Sequence, residues 1–223
     1  NEAMLYSLRD KRFVMNMHDV EYSLNRAMSG WQPNEHQFSD DMLKRITIHE
    51  MGHAMVGLLV KKHNKLMKIV INLSSPKTPG YTVFEGSISS MYTRESLLEH
   101  LMILLSGRIA EEMFYNVSVT TGAINDFEEA LKLAQKMVVY YGMGESLIYP
   151  SNSEKSKAEI DEQVLSLIHN AYDAAYAVLD NCRDMIYDCS VILQSQKVLK
   201  RDELFELMWN KYPSVLQLYN EPI

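Results

Sequence analysis

His49-Glu50-Met51-Gly52-His53 is the stretch from which the rest of this chain can be read. On an α-helix, residues four apart lie on one face, one turn above the other. Two imidazoles set that way can hold one Zn²⁺ from the same side, and Glu50 reaches the water that completes the metal's shell. His-Glu-x-x-His on a helix is the working geometry of zinc metallopeptidases. The competing reading is a helix that carries two histidines and a glutamate without a metal. The flanks read as a helix over about 40–62. Ser39 is a good N-cap, Asp40 and Asp41 suit the positive end of the helix dipole, and Phe38 can staple onto Leu43. Ile46, Ala54, Val56, Leu58, Leu59 and Val60 bury it, and no proline falls between Ser39 and Leu73. Gly52 and Gly57 each cost about 1 kcal/mol of helix propensity relative to alanine. A glycine between two candidate ligands therefore predicts that something packs close to the backbone there.

Beyond this helix, the chain has 223 residues, enough for one large domain or one domain with a small appendage, and 47% of them are apolar. A net charge of −7 argues against a nucleic-acid partner, which would want a basic face. Cys182 and Cys189 are seven apart in what reads as one helix, which separates their Cα atoms by roughly 10 Å and forbids a disulfide. No apolar run approaches the length of a membrane span, and no signal-peptide pattern occurs. The first residue is Asn, as expected for a fragment or a processed chain.

In chain order, Val20, Leu24 and Ala27 have helical spacing, with Gly30 to end that helix, and 31–38 reads as a connector. Residues 66–73 and 81–85 read as strands flanking a loop over 74–80. They predict a small sheet of two or three strands. An edge of that sheet beside the metal could pair with an extended peptide, or the pair is only a structural hairpin. Thr93 caps an apolar core helix that runs to about Tyr115. Glu111 and Glu112 at its end read as solvated, the alternative being that one of them faces the metal. A helix over about 125–141 holds Asp126 in its first turn, where the default role is to complement the dipole. Residues 151–157 read as a mobile loop, 158–189 as one long helix and 200–209 as a last short helix. The expected fold class is mostly α (α+β) with a small β-sheet.

A catalytic zinc takes three protein ligands and leaves one position to water. Leu59 stands where the long metzincin form needs a histidine, so that form is excluded. His63 lies nearly three turns on, too far to reach back. Glu85, Glu111, Glu112, Asp126 and Glu128 remain open as third ligand.

Three segments in order carry a resemblance: His49-Glu50-Met51-Gly52-His53-Ala54, Gly107-Arg108-Ile109-Ala110-Glu111-Glu112 and Thr121-Gly122-Ala123-Ile124-Asn125-Asp126-Phe127. They resemble the three peptidase motifs of the FtsH-type AAA metalloproteases. The strands near Val70, the Gly80–Val83 turn, and a long helix followed by a short one are also similar to that family. The resemblance implies a mostly helical FtsH-like zinc peptidase domain over 31–223 that forms a hexameric ring. Residues 1–30 resemble the end of an ATPase lid helix plus a linker. The family pattern implies His49, His53 and Asp126 as ligands of one Zn²⁺ per chain, Glu50 as catalytic base, and a supporting role behind the ligands for one of Glu111 and Glu112. It implies unfolded or misfolded proteins and peptides as substrates. It also implies an ATPase module and membrane anchors outside these residues, family members being usually anchored in a bacterial inner membrane or an organelle. The chain departs from the family at Met51, usually alanine, at Ser106, commonly glycine, and in a shortened segment after Gly144; none is a ligand or the base. Two other classes remain: a ring-forming scaffold with a structural zinc site, and an unrelated single-chain zinc peptidase that uses Glu111 or Glu112.

Overall fold

The computed structural model describes residues 2–29, 38–73, 78–86, 91–116, 118–148 and 153–220. Its centre is the metal-motif helix, labelled α3 because α1 (Glu2–Arg9) and α2 (Met17–Ser29) precede it. Helix α3 spans Asp40–Leu59, and every residue from Thr47 to Leu59 is buried. The Ser39 hydroxyl caps it by accepting from the Met42 N–H at 3.2 Å. It stops short of the expected end. The N–H groups of Lys61, Lys62 and His63, which a longer helix would use, donate instead to the Glu99 carboxylate at 3.1, 2.5 and 2.7 Å.

Helix α4 (Arg94–Tyr115), capped by Thr93 as expected, is the main partner of α3. The two pack backbone to backbone at Gly52. A Cβ there would lie 2.4 Å from the Ser106 carbonyl oxygen and 2.8 Å from the Ala110 Cβ. This is the close approach that a glycine inside the motif predicts. Helices α5 (Ile124–Val139) and α6 (Glu154–Asn181) pack on α4, α6 also touches α3, and α7 (Arg183–Gln196) packs on α3. Met51, Met55, Leu101, Ile109, Met137, Leu179, Met185 and Ile186 fill the shared core. No described helix is long and apolar enough to cross a membrane.

Three antiparallel strands lie in the order β2 (Gly80–Phe84), β1 (Leu66–Ile71), β3 (Val198–Lys200). Ile69 pairs with Thr82 on one side and Leu199 on the other, so among the described residues β2 is an edge strand. The third strand had no location in the sequence reading. Lys197, at φ 63°, ends α7 in the left-handed region and turns the chain straight into it.

The structure corrects several expectations. The single helix expected over 158–189 is two, broken at Cys182, which serves as C-cap of α6 and N-cap of α7. Both cysteines are buried and free. Ser153 accepts from the Ser156 N–H and starts α6, so 153–157 is the opening of a helix and not a loop. The last expected helix is α8 (Arg201–Lys211), and Pro213 opens a further one, α9 (Pro213–Asn220), as proline does at a first helical position. Helix α1 was also not expected. Its link to α2 is pinned by Arg12, whose guanidinium grips buried Asp19 at 2.6 and 2.8 Å. The connector expected over 31–38, the helix stop at Gly30, the domain boundary there, residues 74–77 of the expected loop, and residues 151 and 152 lie outside the described residues, Phe38 excepted.

Gly52→Ala gains about 1 kcal/mol of helix propensity but drives a methyl into the α4 backbone. Overpacking of this kind typically costs about 1–3 kcal/mol. A net loss of stability is expected in chemical denaturation of the metal-free protein; an unchanged or raised midpoint would contradict the close crossing.

Candidate metal centre

His49 and His53, one turn apart on α3, bring their Nε2 atoms to 3.0 Å with the ring planes at 76°. Asp126 reaches them from the start of α5. Thr120 caps a 3-10 turn over Thr121–Ala123, accepting from the Gly122 N–H at 3.1 Å, and α5 follows at once with Asp126 in its first turn. Asp126 Oδ2 lies 3.3 Å from His49 Nε2 and 3.5 Å from His53 Nε2. Among the described residues, these three form the one group of histidine, cysteine or carboxylate donors close enough to share an ion. A tetrahedral ion with bonds of about 2.0–2.2 Å separates its donors by about 3.3–3.6 Å. The donor set and the two Asp126 separations fit zinc, and the histidine pair, at 3.0 Å, stands slightly inside that range.

The far sides of the rings are also held. His49 Nδ1 lies 2.8 Å from Glu111 Oε1, and His53 Nδ1 donates to the Ile103 carbonyl at 2.6 Å. With Nδ1 donating outward, each Nε2 keeps a lone pair facing inward, as a metal ligand needs. Glu111 further accepts from the Thr120 N–H at 2.7 Å and its hydroxyl at 3.1 Å. Gly107 lies against both rings: a Cβ there would stand 2.5 Å from His53 Nε2 and 2.6 Å from His49 Nε2, in the space where an ion belongs.

The expectation that Glu111 and Glu112 are both solvated is overturned for Glu111, which is 1% exposed. Glu112, one residue on and so about 100° around the helix, turns away. It pairs with Arg108 at 2.8 Å and accepts from the Tyr172 hydroxyl at 2.6 Å. The other open carboxylates also lie elsewhere: Glu128 pairs with Lys132 and Glu85 is exposed. His63 approaches His100 instead of the site.

Electrostatics point the same way. Burial works against a charged His49, but Asp126 and Glu111 outweigh it and raise its pKa to about 10. Burial also works against the Asp126 carboxylate, yet His49 and His53, when a proton takes the place of a metal on their Nε2 atoms, hold its carboxyl well below the usual range. Glu111 is lowered in the same manner, burial being opposed by His49 and Thr120. The pocket is thus built to hold positive charge.

Glu50, 7% exposed, faces a cleft of about 310 Å³ lined by the three donors, by Gly80, Tyr81 and Thr82 of β2, and by His100. The Thr82 hydroxyl donates to Glu50 Oε2 at 2.9 Å, and a Cβ on Gly80 would come within 2.8 Å of Oε1. Sequence reasoning gave no role to Thr82, Gly107 or His100, although the first two lie in segments that carry the resemblance. The first was one polar residue in an expected strand, and the last a lone histidine in an apolar helix.

The profile described as peptidase family M41 matches residues 36–207. The chain is 29% identical to the ATP-dependent zinc metalloprotease FtsH of Clostridium perfringens, over 96% of this chain and 32% of that protein. It is 31% identical to the protein of the same name from Streptococcus pneumoniae, over 82% of this chain and 30% of that one. It is 27% identical to the mitochondrial inner membrane m-AAA protease component AFG3L1 of Mus musculus, over 93% and 28%. The chain therefore spans about a third of the length of these curated relatives.

Asp126→Asn is expected to lower zinc affinity sharply, and Glu111→Gln to lower it about 10–100-fold, as losses behind a metal ligand do. Glu112→Gln should leave it nearly unchanged. Competition with a chelator reads all three; normal affinity in Asp126→Asn would exclude that residue as a ligand.

Proposed function

This chain belongs to peptidase family M41, and from that premise we propose that it is a zinc-dependent endopeptidase, with His49, His53 and Asp126 holding one zinc ion per chain and Glu50 acting as general base. The observation that carries this is the placement of Glu50 beside the donor trio in a cleft walled by an edge strand. A zinc ion bound there supplies Lewis acidity that polarises the scissile carbonyl and makes water acidic enough to lose a proton near neutral pH. Glu50 takes the proton of the attacking water and delivers it to the leaving amine. Thr82 holds one oxygen of Glu50 and so orients the carboxylate for that transfer. Neither cysteine takes part: burial pushes both thiols up to about 12, which keeps them protonated.

The edge of β2 that does not face β1 has no strand partner among the described residues. An extended peptide laid along it would pair with the strand and bring a carbonyl over Glu50. Such a substrate must already be unfolded, because opening a folded domain costs about 5–15 kcal/mol. No Gly-x-x-x-x-Gly-Lys-Ser/Thr phosphate loop occurs in the chain to supply that work. The unfolding step belongs in this reading to an ATPase module outside the chain, in keeping with the names and lengths of its relatives. The FtsH resemblance further supports a hexameric ring of such protomers, which a mass measurement tests. A scaffold with a structural zinc site would close the ion with four protein donors, and three are grouped here among the described residues.

Glu50→Gln is expected to keep stoichiometric zinc and lose nearly all proteolysis; cleavage at the normal rate in a clean preparation would remove Glu50 as the base. The zinc-loaded chain should also cut casein slowly with no response to ATP, and leave a stable folded protein intact. ATP-stimulated loss of the folded protein, followed by gel electrophoresis, would reveal a motor within the chain.

A further inference from the structure

The cleft shares His100 and Leu104 of α4 with a second, larger cavity of about 1020 Å³. His100 Nδ1 lies 3.0 Å from Nε2 of His63, and the rings are within 6° of parallel with centroids 5.1 Å apart. Ring nitrogens sit about 1.1 Å from the ring centre, so a head-on N–H···N bond of this length gives centroids about 5.2 Å apart. The two rings are therefore joined edge to edge by a hydrogen bond and are not stacked face to face. Its direction follows from the far end. His63 Nδ1 lies 3.0 Å from the Asn64 carbonyl oxygen, which can only accept. His63 Nδ1 is thus the donor, its Nε2 accepts, and His100 Nδ1 supplies the shared proton.

That leaves a lone pair on His100 Nε2. Burial, assisted by His63 and opposed by Glu129, pushes His100 down to about 4, so the ring stays neutral. Burial likewise lowers His63. Among the described residues no fully buried side-chain nitrogen or oxygen lacks a partner, and His100 Nε2 has none. It therefore meets solvent, in the cavities that its ring lines. The device is braced: Glu99 holds the backbone of 61–63, and Phe84 stands edge-on to His63 at 4.9 Å.

We propose that His100 is a substrate-binding residue: a peptide running from the catalytic cleft into the larger cavity crosses it and donates a backbone N–H to Nε2. This rests on the peptidase reading above. An extended chain carries unpaired N–H groups along its length, and a neutral, fixed acceptor between the two cavities selects for such a chain without reading its side chains.

The test is an N-methyl scan of one fluorogenic peptide without side-chain donors, assayed with the zinc-loaded protein, His100→Asn and His100→Gln. Asparagine keeps the bond to His63 but has nothing in place of Nε2; glutamine can put an oxygen there. In the unaltered protein, methylation of one amide near the scissile bond should raise KM about five- to tenfold, the worth of one ordinary hydrogen bond, with kcat little changed. His100→Asn should raise KM by a similar factor on the unmethylated peptide and abolish the cost of that methylation, at unchanged zinc content and melting temperature. His100→Gln should recover most of the loss. A methylation penalty of the same size in His100→Asn, or an unchanged KM, would overturn the proposal while leaving the peptidase reading intact. If the unaltered protein cuts no peptide, the peptidase reading fails. The same coupling is then read as peptide affinity by fluorescence anisotropy, and its absence there overturns the role of His100.

Discussion

The centre of this protein depends on how closely α4 approaches α3. Gly52 removes the side chain that would hold the helices apart, and the Ser106 carbonyl fills the space. At that separation one face of α4, at helical spacing, meets the whole motif: the Ile103 carbonyl reaches His53, Gly107 leaves room beside both rings, and Glu111 reaches His49. A wider crossing would leave the two Nδ1 atoms without partners and both rings free to turn. The glycines that weaken the helices in isolation are what let the pair assemble into a centre.

Glu111 is the joint between three helices. One oxygen faces His49 on α3, while the carboxylate also takes the N–H and hydroxyl of Thr120, which caps the turn leading into α5. The same buried side chain therefore sets the orientation of one candidate ligand and the approach of another, Asp126. A buried charge of this kind is tolerated only with several partners, and Glu111 has them from both neighbours.

Much of this was legible in the residues. Ser39 and Thr93 announced their helices because capping is a local matter of one hydroxyl and one N–H. Gly52 announced a close neighbour because glycine is otherwise a poor choice inside a helix. What escaped was decided at a distance. Glu111 read as solvated because charged residues usually are, and its partner lies 62 positions away. Strand β3 is three residues long and exists only because β1 is there to pair with it. The break at Cys182 carries no proline or glycine, and apolar spacing runs across it. Spacing alone left five carboxylates open as third ligand; the geometry brings Asp126 to the histidines and leaves Glu85, Glu112 and Glu128 away from them.

Strand β3 also sets an order of events. It pairs with β1, and β1 carries β2, whose Thr82 steadies Glu50. A chain emerging from the ribosome exposes both histidines and Glu50 well before Val198–Lys200, and until those residues have been made the sheet beside them lacks its third strand. On the proposed reading, the candidate catalytic groups thus precede the scaffold that aims them. A half-made copy passes through synthesis with its chemistry present and its aim missing, at the stage when the unfolded chains nearest to it are its own and its siblings'.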